Sequence, residues 1–317
     1  MSVTRRTTFA AALAAPAILA ATPLPAAAQA AAARQAPGFY RFKVGSFDVT
    51  VINDGYNRRP NPAEGFIRNA DAAAVRSSLE AALLPTDHLD IPFNITVVNT
   101  GSDLILFDTG TGGLLAPTAG TMWDNLAAAG IDPAAITKIV FTHFHGDHVS
   151  GLVTREGQAR FPSAELIVPE AEWAFWMGDR APQQPATMVK GRFGAYPAER
   201  VKRIASNAEV VTGITGVPTH GHTPGHTCYM VANGNASVMV LGDVTNHPAV
   251  NVTNPGWHAV FDMDAAQAEA TRRALFDRAA ADRTLIIGYH WPFPSLGRLR
   301  RAGNGYEVVP QPWTTAL

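Results

Sequence analysis

The 317-residue chain sets 25 basic against 26 acidic side chains, so its charge offers nothing to draw it to nucleic acid or to an anionic membrane. Its single cysteine, Cys228, excludes an internal disulfide and a cysteine-rich zinc site. At this length one large mixed domain accommodates the chain.

The first 30 residues read as an export leader. Arg5 and Arg6 precede an uncharged apolar run from Phe9 to Ala21, and Ala28-Gln29-Ala30 supplies a small-residue cleavage site. The paired arginines point to the twin-arginine route and so to the periplasm. The apolar run is too short and too rich in alanine and proline to span a bilayer, which takes about 20 apolar residues, so no stable membrane insertion is expected after cleavage. Residues 31–37 read as a flexible leader, and 38–317 as one domain without repeat, low-complexity linker or inner boundary.

Along that domain, alternating apolar residues predict a β-hairpin from Tyr40–Val44 and Phe47–Ile52, ended by Asn53-Asp54-Gly55. Helical spacing predicts a helix over Asp71–Leu84. A second hairpin pairs Ile95–Val98 with Leu104–Phe107 across Thr100-Gly101-Ser102-Asp103. A short helix over Trp123–Ala129 stops at Gly130, Asp132-Pro133 reads as a helix start, and Lys138–Thr142 as a buried strand. Further strands are predicted at Glu165–Val168, Glu209–Val211, Cys228–Val231, Ser237–Leu241 and Leu285–Gly288, with helices at Pro169–Met177 and Asp264–Ala281. Strands first, then strands mixed with helices, imply two sheets with outer helices.

The segment that carries chemistry is Thr142-His143-Phe144-His145-Gly146-Asp147-His148. A strand sends every second side chain to one face, so His143 and His145 leave its end together, and Gly146 lets Asp147 and His148 swing back beside them. Such groups at the end of an apolar strand are costly to bury unless paired or metal-bound. Three more ligand-type positions follow apolar strands or sit in glycine-proline loops: His222 in Gly221-His222-Thr223-Pro224-Gly225-His226, Asp243 after Val240-Leu241-Gly242, and His290 after Ile286-Ile287-Gly288-Tyr289.

Taken in this order, these motifs resemble those of the metallo-β-lactamase superfamily. The resemblance implies an αββα sandwich, two mixed β-sheets with outer helices, and a site at the edge between the sheets. Position by position, it implies that His143, His145 and His222 hold one metal ion, that Asp147, His148 and His290 hold another, and that Asp243 bridges them. Imidazole and carboxylate ligands suit zinc, with iron, manganese and cobalt as alternatives. Two ions about 3.5–4 Å apart can share a bridging water, acidify it and present hydroxide to an electrophile, with Asp147 and Asp243 keeping it oriented. The closing segment Tyr289-His290-Trp291-Pro292-Phe293-Pro294 is similar to the end of methyl parathion hydrolase and its relatives. Quorum-quenching lactonases share the metal set but carry a tyrosine three residues after the bridging aspartate, where this chain has Asn246. The common β-lactamases place a cysteine near the bridging position, whereas Cys228 lies elsewhere.

The resemblance gives Asp108 the role of orienting metal-bound histidines, and His226 that of a hydrogen bond within the loop. Trp291, Phe293, Trp176 and His247 are candidate pocket residues. The expected substrate is a small ester-like molecule: a lactone, an aryl ester or an organophosphate triester. The rivals are a β-lactamase-like amidase and a metal-binding protein of the same fold without turnover. A homodimer is compatible with the sequence.

Overall fold

In Leu104–Phe107 the side chain of Leu106 enters one apolar cluster while those of Ile105 and Phe107 enter another; Glu165–Pro169 splits likewise, Leu166 and Val168 against Ile167. Side chains alternate between the faces of a strand, so strands apolar on both faces have to be covered on both. The structure, a computed structural model, describes residues 35–314. Two seven-stranded sheets pack face to face with helices on their outer sides, the αββα layering expected from the sequence. The expected export leader, and residues 31–34 after it, lie outside the described residues. Among the described residues no helix is long and apolar enough to cross a membrane.

The first sheet runs in chain order: β1 (Phe39–Val44), β2 (Phe47–Pro60), β3 (His88–Asn99), β4 (Leu104–Phe107), β5 (Lys138–Val140), β6 (Glu165–Pro169) and β7 (Val201–Ile204). It is antiparallel up to β4 and parallel from β4 to β7. The second holds β8 (Glu209–Val211), β9 (Ile214–Pro218), β10 (Thr227–Asn233), β11 (Ala236–Val240), β12 (Leu285–Ile287), β13 (Leu296–Ala302) and β14 (Gly305–Pro310), antiparallel except where β11 meets β12. Val49, Val51, Phe107, Tyr229, Val231 and Val238 belong to the core between the sheets.

Among the described residues six α-helices complete the layers: α1 (Ala72–Ala81), α2 (Met122–Ala128), α3 (Gly146–Val149), α4 (Glu170–Met177), α5 (Gln183–Phe193) and α6 (Ala265–Ala281). The second, fourth and fifth cover the outer face of the first sheet through Leu126, Trp176 and Val189. The sixth covers the second sheet through Leu275, Phe276 and Ala279. Because β4 runs parallel to β5, and β11 to β12, the segments leaving their C-terminal ends emerge on shared edges. That brings Asp108 beside residues 142–148, and Asp243 beside His290.

Several boundaries differ from expectation. Asn53-Asp54-Gly55 does not end a hairpin: β2 continues to Pro60 through a register shift between Asn53 and Tyr56. The cause is Asp54, whose buried carboxylate accepts from the Thr111 amide and hydroxyl and from the Met122 amide at 2.6–2.9 Å. β3 begins at His88, ahead of the predicted Ile95. β5 stops at Val140, because the Thr142 amide turns to the Asp108 carboxylate instead of a neighbouring strand. The sequence reading passed over α5, β7, β9 and the β13–β14 hairpin.

The Asp264 carboxylate caps α6, accepting from the Gln267 amide at 3.0 Å. Asp264→Ala should therefore lower stability by about 1 kcal/mol, seen as a lower urea midpoint at unchanged m value. An unchanged midpoint would show that this cap contributes nothing.

Candidate metal centre

At the C-terminal end of β4, Asp108 is buried and gathers the loop that follows β5. Its carboxylate accepts from the Thr142 amide, the Thr142 hydroxyl and His148 Nδ1, each at 2.8 Å. The Thr142 proton is thereby committed to Asp108, so at the 3.0 Å contact with His143 Nδ1 the histidine is the donor. His143 Nε2 is left with a bare lone pair. The same logic runs around the site: His222 Nδ1 bonds Asp262 Oδ1 at 3.0 Å and His290 Nδ1 bonds the Pro92 carbonyl at 2.9 Å. Each of these rings is fixed from outside, and its other nitrogen faces the same small space.

Two groups of potential ligand atoms result, each with its members within 4.8 Å of one another: His143, His145 and His222; and Asp147, His148, Asp243 and His290. Asp243 lies between them. Its Oδ2 is 3.0 Å from His290 Nε2, 3.5 Å from His222 Nε2 and 3.9 Å from His143 Nε2, and its Oδ1 is 3.3 Å from His148 Nε2. His145 Nδ1 and His222 Nε2 face each other at 2.9 Å.

Whether these residues fit metal ions can be judged from their own chemistry. His143 Nε2, His148 Nε2 and Asp243 Oδ1 are fully buried and have no hydrogen-bond partner in the protein, a costly arrangement unless something else satisfies them. Burial, reinforced by neighbouring imidazoles, holds His143 and His145 well below their usual pKa, so both present lone pairs. Burial opposes charge on His148 and His290 too, but Asp243 and Asp147 outweigh it and raise both. Burial would likewise raise Asp243, yet His290 and His148 hold it well below the ordinary carboxylate range. The carboxylates thus call for positive charge at the point where the lone pairs converge. A pair of divalent cations fits both demands.

Around this core, His226 belongs to neither group. Its Nε2 accepts the Asp243 amide at 2.9 Å while Nδ1 meets the Thr219 hydroxyl at 2.8 Å, and burial presses its pKa to about 3. It holds the backbone of Asp243. Gly242 beside it has φ of +55°, and a Cβ there would lie 2.7 Å from His226 Nε2.

A cavity of about 390 Å³ opens over both groups, lined by His145, Asp147, Asp243 and His290 on the polar side and by Ile91, Phe93, Leu115, Pro185 and Phe261 on the apolar side. Asn57, Gly146 and Asn246 complete its wall. The expected pocket residues lie elsewhere. Trp291 is buried in the core beneath α6, packed on Gly288, because the chain reverses after His290. Trp176 is also buried and donates to Glu172. His247 spends Nδ1 on the Ala249 amide as a turn cap, and Phe293 is partly exposed outside the lining.

With this geometry in place, comparison with known proteins is direct. The family model for the metallo-beta-lactamase superfamily matches residues 91–290. The chain belongs to that superfamily. YobT, an uncharacterized protein of Bacillus subtilis, is 31% identical over 111 residues, 34% of this chain and 46% of YobT, so the chain spans less than half of that relative. An N-acyl homoserine lactonase from a Bacillus species is 26% identical over 62% of this chain and 80% of its own. Among solved structures, the hydrolase AbOPH superposes with a TM-score of 0.81 at 27% identity over 89% of this chain and 100% of its own. AidC, a dizinc quorum-quenching lactonase, shares the fold with a TM-score of 0.81 at 24% identity over 88% and 99%.

Two further buried carboxylates have roles that the sequence does not assign. Asp262, in Phe261-Asp262-Met263-Asp264, orients His222. Glu172, on α4, accepts from the Phe144 amide, the Gly225 amide, the Thr223 hydroxyl and Trp176 Nε1, and so ties the 143–145 segment to the 222–226 loop. Its signal was an acid on the apolar side of a short helix, Glu172 between Ala171 and Trp173 with Phe175 and Trp176 following, whereas the helix's other acid, Glu170, is exposed.

Two ligand groups predict close to two metal ions per chain by elemental analysis. Asp243→Ala should lose both, since it removes the shared carboxylate, whereas His290→Ala should retain about one. A wild-type stoichiometry of one that added metal does not raise would overturn the dinuclear assignment.

Proposed function

We propose that this protein is a dinuclear hydrolase, with zinc as its metal, that cleaves uncharged ester-like substrates bearing an apolar acyl or aryl group. The observation that carries the reading is the apolar cavity over the convergent unpartnered ligand atoms: among the described residues, no lysine or arginine lines it. When bound, a pair of divalent ions supplies Lewis acidity and acidifies water towards neutrality. The protein's own residues bind and orient. Ile91, Phe93, Leu115, Pro185 and Phe261 take up the apolar group and exclude water from it. A second anionic group, such as a β-lactam carboxylate or a phosphodiester, would find no cation there.

Asn246 supplies the neutral donor. Its Oδ1 accepts the His247 amide at 2.9 Å, which leaves Nδ2 on the cavity wall without a protein partner and free to donate to a substrate oxygen. Among the described residues no hydroxyl or ammonium group lines the cavity, which favours leaving groups that depart with little protonation, such as aryloxides and enols. The lactonases among the relatives and structural neighbours support a lactone as one form of the substrate.

A panel of lactones, aryl esters, paraoxon-like triesters and nitrocefin on metal-reconstituted protein tests this reading; turnover of nitrocefin alone would sink it. Phe261→Ala should lower kcat/KM for aryl substrates roughly ten-fold, the loss of one aromatic contact worth about 1–2 kcal/mol, and should leave small aliphatic lactones nearly unchanged. Phe293→Ala should change neither. Equal losses on every substrate would remove the apolar wall from the account.

We also propose export by the twin-arginine route, motivated by Arg5-Arg6, the apolar run and Ala28-Gln29-Ala30. Replacing both arginines with lysine should retain the protein in the cytoplasm. Mature protein in the periplasm of cells lacking that pathway would refute the route.

A further inference from the structure

Arg272 lies on α6, whose other buried side chains are apolar or alanine, yet it is 1% exposed. Its guanidinium makes four hydrogen bonds in different directions. Nε donates to the Val244 carbonyl at 2.7 Å, Nη1 to the Pro255 and Trp257 carbonyls at 2.9 Å each, and Nη2 to Asp262 Oδ2 at 2.9 Å. The other oxygen of Asp262 receives His222 Nδ1, and Val244 directly follows Asp243. One side chain therefore holds both the carboxylate that orients His222 and the backbone next to Asp243.

The surrounding backbone repeats the connection. The Met263 and Asp264 amides donate to the His222 and Gly221 carbonyls at 3.1 and 2.9 Å, and the Thr271 hydroxyl donates to the His220 carbonyl at 2.7 Å. Gly221 has φ of +129°, and a Cβ on it would come within 2.5 Å of the Ala268 backbone, so the His222 loop lies directly against α6.

We propose that Arg272 is a positioning residue for metal binding: through Asp262 and the Val244 carbonyl it sets His222 and Asp243 relative to each other, and so fixes the affinity of the His143–His145–His222 group. The planar fork of a guanidinium can satisfy acceptors on several sides at once, while a lysine ammonium on a flexible stem reaches one side only. Arg272 touches no ligand atom and acts only through these partners. The inference rests on the two groups holding metal and is independent of the choice of substrate.

The test is zinc competition against a chromophoric chelator, together with cobalt titration followed by its visible ligand-field absorption. Variants are Arg272→Lys and Asp262→Asn, which keep the site filled, and their double variant. Outer partners of metal-bound histidines typically contribute 10–100-fold in affinity, so each single variant should weaken zinc binding at one site by that factor. The cobalt signal should saturate near one ion at concentrations that load wild type with two. The double variant should be little worse than the worse single, because both act on one path. Phe276→Leu, one turn further on the same helix and buried in the core, is the control: it should lower Tm without changing zinc affinity. Wild-type affinity in both single variants, or a matching loss in Phe276→Leu, would overturn the inference. Wild-type protein that binds no zinc would instead overturn the metal reading, and this inference with it.

Discussion

Seven side chains with lone pairs or negative charge, most of them buried, meet at the floor of one cavity, and that convergence is the constraint on which the rest of the structure depends. Left to themselves, buried imidazoles and carboxylates would turn outward or exchange protons among themselves. They do not turn because the outer nitrogens of His143, His148, His222 and His290 are bonded to Thr142, Asp108, Asp262 and the Pro92 carbonyl. Those acceptors lie just past strand ends, within β3 at Pro92, or, for Asp262, in a loop braced against α6. The sandwich is thus a frame that holds acceptors still, and the acceptors hold the rings.

This division explains what could be read from the sequence. His143, His145, Asp147 and His148 sit within six residues, and Asp243 and His290 each follow an apolar strand, so local spacing already disclosed them. Asp108 was legible for the same reason, at the end of Leu104–Phe107. The αββα layering was legible from the order of strands and helices and from the resemblance of the motifs, and strands apolar on both faces are its physical reason.

What stayed hidden depends on contacts between distant segments. Asp262 and Glu172 matter because they bond His222 and residues 144, 223 and 225, which lie 28–53 positions away along the chain. The apolar wall was missed because Pro92 argues against a strand in a stretch, Leu89-Asp90-Ile91-Pro92-Phe93, that otherwise alternates clearly. Trp291 and Trp176 were misplaced for the converse reason: proximity to a ligand in sequence says nothing about the side to which a large ring turns. The Asn53-Asp54-Gly55 signal was real as a break in regular pairing, but a buried aspartate made it a bulge inside a longer strand.

Ile91 and Phe93 flank Pro92, and Phe261 precedes Asp262, so part of the cavity wall adjoins the metal-site braces, while another part comes from separate stretches of chain. Leu115 and Pro185 reach the rim from the loop before α2 and from the first turn of α5, and neither segment carries an acceptor for a site histidine. Exchanging such residues alters the shape offered to a substrate while leaving the ligand rings anchored as before. A lineage built on this plan can therefore drift between substrates through mutations at these rim positions that each cost little stability, because this part of the wall is inherited separately from the part that reacts.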